Sequence, residues 1–133
     1  MHDFEKLKVY SKPKEFNNLV EENLLSRDDI DKISKDQLKR ASLSIMTNIA
    51  EGASRFSKAD RSRFYVIARG SVLECVAIFD SLMKKLKNEL IDWEQMKSLS
   101  IEISKMLFTM IKNLKVVKVG DSGKDDSKSP IGD

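Results

Sequence analysis

Four cations fall within the short stretch from Arg55 to Arg63, namely Arg55, Lys58, Arg61 and Arg63, and Arg69 follows them; Phe56 and Tyr65 lie among them. Arginine and lysine can neutralise phosphates while an aromatic ring stacks on an unpaired base, which is the combination a single-stranded RNA contact uses. The same residues also suit a solvated helix end whose arginines pair with Glu51 and Asp60, and both readings stand on the sequence. Lys84, Lys85 and Lys87, with Lys112, Lys115 and Lys118, are secondary basic candidates that equally suit helix C-termini electrostatically. A second constellation is polar. Gln37, Arg40, Ser44, Asn48 and Glu51 recur at spacings of three and four, which lines them along one helix face beside an apolar stripe. A hairpin about Ser54–Ser57 would set Arg40 near Ser71 and Glu74, and Asn48 near Arg63 and Phe64. The expectation is a buried Arg40–Glu74 pair, with Gly70 permitting close helix approach and Ser71 hydrogen-bonding nearby. Asn48, Glu51 and Gly52 read as a helix C-terminus with polar packing in preference to a ligand or catalytic site.

Other chemistries find little to work with. The chain has a single histidine, His2, and a single cysteine, Cys75, so a His/Cys metal site, a disulfide framework and a His-based triad all lack residues. A di-iron bundle needs Glu-x-x-His on two helices, which one histidine cannot supply. Glu21 and Glu22, like Asp28 and Asp29, are adjacent and point different ways on a helix, so they read as solvated surface. Cys75 reads as a small buried hydrophobe, and Met96, Met106 and Met110 as core. No nucleophile–base pair is visible, and the expectation is a protein that is not an enzyme and takes no metal or other cofactor. With 24 Lys+Arg against 21 Asp+Glu the net charge is +3, so a nucleic-acid surface has to come from clustering. No apolar run is long enough for a membrane span, and MHDFEKLKVY has neither signal nor transit character, which points to the cytoplasm and away from a membrane.

The elements that would position these residues are helices. A chain of 133 residues, 41% hydrophobic and with only 5 Gly and 2 Pro, suits one domain of long helices and short turns. Helix 1 reads from an N-cap at Ser11, with Pro13 in its first turn and Phe16, Leu19, Val20, Asn23 and Leu24 at helical spacing. Phe4, Leu7 and Val9 form an extended or loosely helical arm before it, or belong to a helix that starts earlier and kinks at Pro13. Ser34-Lys35-Asp36-Gln37 matches a capping box and opens helix 2, about 35–53, with Leu38, Ala41, Ile45, Ile49 and Ala53 on one stripe. Ser57 caps helix 3, which runs without a breaker to Asn88 through Phe64, Ile67, Ala68, Ser71, Val72, Cys75, Ile78, Phe79, Leu82 and Leu86. Further apolar residues at Tyr65, Val66, Leu73, Val76 and Met83 widen its apolar surface, as in a helix that is central or shared with another subunit. Asp92-Trp93-Glu94-Gln95 opens helix 4, roughly 93–117, and residues 118–133 have the composition of a solvated tail. Short connections make consecutive helices neighbours, so the expected fold is an all-α antiparallel up-and-down four-helix bundle over residues 1–117.

The string Q-L-K-R-A-S-L-S-I-M-T-N-I-A-E-G from Gln37 to Gly52, followed by I-A-R-G-S-V-L-E from Ile67 to Glu74, resembles the signature of the bacterial 23S rRNA intervening-sequence proteins. The opening F-E-K-L-K-V-Y is similar to that family's start, and the resemblance covers roughly residues 4–115. It implies a four-helix protomer that assembles into a homopentameric ring with basic surfaces and associates with RNA or DNA. A more distant resemblance, to the accessory protein of diversity-generating retroelements, implies a protein partner such as a reverse transcriptase. Pro13, where a helix former is expected, and the polar C-terminal tail depart from the family pattern.

Overall fold

The structure, a computed structural model, describes residues 4–86 and 90–115, with side chains from Val9 onward. Four helices follow in order: α1 Phe4–Val20, α2 Lys32–Ala53, α3 Lys58–Lys85 and α4 Trp93–Leu114. Each packs against the next and α1 closes against α4, while the diagonal pairs make no close backbone approach. That is the all-α up-and-down bundle expected from the short connections.

The helix starts carry the corrections. α1 begins at Phe4, so Ser11 is not its N-cap and the extended arm does not form. Pro13 lies inside the helix and is buried. Val9 and Tyr10 pack against the core beside it, and that burial outweighs the backbone bond proline cannot donate. α1 then continues into a π-helical turn, Glu21–Leu25, in which the Ser26 N–H reaches back five residues to the Glu21 carbonyl at 3.1 Å. α2 starts at Lys32, three residues before the expected 35, and is capped by Asp31 where the sequence reading placed Ser34. The Ser34 N–H donates to Asp31 Oδ2 at 2.9 Å. An ionised carboxylate is a stronger acceptor than a hydroxyl and sits well at the positive end of the helix, and the bond holds the Asp31 carboxyl below its usual range. Ser57 and Asp92 cap α3 and α4 as expected, accepting from the Asp60 and Gln95 N–H groups. α3 ends at Lys85 and α4 at Leu114, whereas the sequence suggested 88 and 117. Asn88, residues 116 and 117, the tail from 118, and His2, Lys87 and Lys118 lie outside the described residues.

Phe16, Val20, Leu24, Ile45, Ile49, Cys75, Phe79, Met96, Ile103 and Leu107 have no exposed surface and fill the interior. Sealing each large apolar side chain contributes about 1.5–3 kcal/mol against the entropy of ordering the chain. Phe16, Phe79 and Trp93 join α1, α3 and α4 through tilted and edge-on ring contacts at 6.0 and 5.9 Å. Near them, Asn23 Oδ1 accepts from the Asp92 N–H at 3.0 Å, tying the π-helical turn to the start of α4. The α1–α2 and α3–α4 connections therefore share one end of the bundle. The α2–α3 turn and the C-terminus of α4 share the other.

Candidate nucleic-acid interface

The turn between α2 and α3 is stitched by its own backbone. The Ser54 N–H donates to the Ala50 and Glu51 carbonyls, the Ser54 hydroxyl donates to the Glu51 carbonyl at 2.8 Å, and the Arg55 N–H donates to Gly52 at 3.1 Å. Gly52, the penultimate residue of α2, lies against Tyr65. A Cβ there would come within 2.5 Å of Tyr65 Cε1 and 3.2 Å of Phe64 Cβ. Tyr65 is eight residues into α3, so the first turns of α3 run past the end of α2 and carry the cations outward. Tyr65 itself is buried, which pushes its phenol pKa up, and its ring belongs to the core.

The cations are held in place. The guanidiniums of Arg55 and Arg63 both lie over the Phe64 ring, at 4.8 and 5.1 Å from its centre. Arg55 also pairs with Glu51 and Arg63 with Asp60, each at 3.3 Å. Arg61 Nε donates to the Arg55 carbonyl at 2.9 Å. Such exposed pairs add little stability, but they restrict where the guanidiniums point. Lys58 is exposed and forms no ion pair among the described residues. Glu51 and Asp60 set against Arg55, Lys58, Arg61 and Arg63 leave a surplus of two positive charges around the turn. Phe56, at the tip, is 99% exposed. Arg69 stands apart, lying over Phe108 of α4 at 5.4 Å. The sequence reading missed Phe64 and Phe108 as supports for guanidiniums; an arginine immediately before Phe64 was the available signal.

The polar stripe divides into a half-buried and an exposed part. Asn48 Nδ2 donates to the Ser44 hydroxyl and carbonyl, both at 2.9 Å. The Ser44 and Ser71 hydroxyls are 2.9 Å apart, and the Ser71 hydroxyl donates to the Ile67 carbonyl at 3.1 Å. Because each hydroxyl has one proton, this is a directed chain, Asn48 to Ser44 to Ser71 to Ile67, which joins α2 to α3. Gln37, Arg40, Glu51 and Glu74 face solvent instead. The expected buried Arg40–Glu74 pair is therefore absent: both side chains project outward and no ion pair links them among the described residues. Ser71 meets Ser44 where Arg40 was expected, and Phe64 Cβ lies against Gly52, so the hairpin register is shifted by about one helical turn from the expected one. Gly70 is corrected too. It is exposed, and a Cβ there would meet nothing within 4 Å, so the close approach inside the hairpin belongs to Gly52.

Lys84 and Lys85 end α3 at the bundle end opposite the arginines, whereas Lys112 and Lys115, in the last turn and C-cap of α4, share the arginine end. The outer face of α3 exposes Val66, Gly70 and Leu73 along one stripe. Beside it, Val72, Leu73, Val76 and Ile101 line an open, mostly apolar groove of about 320 Å³ between α3 and α4, with Lys97 and Lys105 at its rim. Lys97 is tied to Asp80 at 2.8 Å. The surplus apolar positions of α3 were the signal for this groove. Ile67, expected on the core stripe, is exposed, and Cys75 is fully buried with its thiol pushed up to about 12 by burial. Among the described residues no group of three or more His, Cys, Asp or Glu could hold a metal ion, and no helix is long and apolar enough to cross a membrane.

A family model described as 23S rRNA-intervening sequence protein matches residues 5–109. No curated protein and no solved structure matches the chain.

Proposed function

The chain belongs to the family of 23S rRNA-intervening sequence proteins, and from that premise we propose that it is a non-enzymatic homo-oligomer, five copies closed into a ring in the cytoplasm, that binds nucleic acid, RNA above DNA, through the α2–α3 end of each copy. The observation that carries the reading is the turn itself, where Arg55, Lys58, Arg61 and Arg63 surround an exposed Phe56 with excess positive charge. One such patch is weak. Five copies on one assembly raise the effective concentration of each for a polyanion and release more counterions, so the ring binds far more tightly than a protomer. Self-assembly is supported by Gly70, a mid-helix glycine that costs about 1 kcal/mol against alanine and meets no neighbour among the described residues. Exposed Val66 and Leu73 on the same stripe add apolar surface for a second helix to cover.

The groove between α3 and α4 favours a second reading, an adaptor that docks a protein partner such as a reverse transcriptase. Salt separates the two. Titration of labelled RNA by fluorescence anisotropy, at several salt concentrations, should give binding that weakens steeply with salt for the wild type. It should be lost in Arg55→Ala/Arg61→Ala/Arg63→Ala at unchanged oligomeric state. Absence of binding at low salt would favour the adaptor.

A further inference from the structure

We propose that Phe56 is a stacking platform for an unpaired nucleobase, so that the basic turn selects single-stranded nucleic acid over duplex. The inference rests on the nucleic-acid reading above and gives it a ligand class. A phenylalanine that is 99% exposed forgoes the roughly 2 kcal/mol its burial would contribute, and none of the described residues covers it. The next large exposed apolar residues on α3 are Val66 and Ile67, ten or more positions along the chain, which separates Phe56 from the apolar face that suits a partner helix. Its immediate neighbours are cations. Arg55 precedes it, Lys58 follows without an ion pair, and Arg61 is drawn to the turn by its bond to the Arg55 carbonyl. An isolated flat apolar ring bordered by positive charge complements a ligand with a flat π face and negative charge beside it, which is a nucleotide in an unstacked strand.

The hydrogen-bonded turn fixes the backbone that carries the ring, and the Phe64 ring fixes where the Arg55 and Arg63 guanidiniums lie. Little order has to be created on binding, which favours affinity. A duplex keeps its bases stacked on one another and offers this turn phosphates alone. Each base that stacks on a protein aromatic is worth a factor of roughly 5 to 150 in affinity. Because every base has a π face, the turn discriminates strand state more than sequence.

The experiment uses the full-length assembly and end-labelled 12-nucleotide RNA and DNA single strands, with the matching duplexes, at fixed low salt. Phe56→Ala should weaken both single strands at least fivefold and leave the duplexes and the slope of affinity against salt unchanged. Phe56→Trp should retain single-strand binding, and 2-aminopurine placed within the strand should change its emission with the wild type and not with Phe56→Ala. Equal affinity of wild type for strand and duplex, or Phe56→Ala binding single strands like the wild type, overturns the inference. If the triple arginine variant still loses binding in that case, the nucleic-acid reading survives without it. A wild type that binds none of the four probes removes both.

Discussion

A methyl group added at Gly52 would collide with the Tyr65 ring, and Tyr65 is packed into the core on its other side. Gly52→Ala should therefore lower stability by about 1–3 kcal/mol, even though alanine is the better helix former by about 1 kcal/mol. Thermal unfolding followed by circular dichroism reads this directly. An unchanged midpoint would mean that the ring turns aside at no cost. The sequence contains two glycines inside helical patterns, and it marked both Gly52, as a helix end, and Gly70, as a close approach. Nothing in the local pattern says which one has a neighbour, because that depends on how far one helix has slid along another. Ser44 and Ser71 were legible as polar positions but not as partners: Ser71 was expected beside Arg40, and the same slide, of about one turn, brings it to Ser44.

The legibility of an element followed the strength of its punctuation. Ser57 and Asp92 stand immediately before long apolar patterns and cap their helices as read. Ser34 read as a cap because it opens a complete four-residue box, yet the carboxylate of Asp31, three residues earlier, takes the bond. Pro13 misled in the opposite direction, since local propensity favours a boundary there while Val9 and Tyr10 gain core contacts by staying helical. α3 carried the most useful excess. Its surplus apolar residues read as those of a central or shared helix, and the structure leaves Val66 and Leu73 uncovered beside Gly70. If copies of the chain meet on this stripe, Leu73→Glu places an unpaired charge in the contact. Light scattering after size exclusion should then show the mass falling toward the 15.2 kDa of one chain. The helical signal should stay as in the wild type, because Leu73 is 53% exposed in the protomer. An unchanged mass would place the contact elsewhere.

At the scale of the whole molecule, the fold class followed from periodicity and loop length, whereas the site needed three dimensions. Sequence grouped the basic residues by position in the chain. The bundle regroups them by end, joining Lys112 and Lys115 to the arginines and sending Lys84 and Lys85 to the opposite pole. It also sorts the aromatics, burying Tyr65, spending Phe64 on guanidiniums and leaving Phe56 open. One quiet consequence concerns labelling chemistry. The only thiol, Cys75, is sealed in the core and its pKa is about 12, so at neutral pH the folded chain offers maleimides almost no thiolate and no access. The native protein should resist alkylation for hours and react promptly in guanidinium chloride, as mass spectrometry would record. A cysteine introduced at position 56 or 70 is then the sole reactive group in an otherwise natural chain. Its protection would map, without deleting Cys75, which of the two faces is covered when copies assemble and which when an oligonucleotide is added.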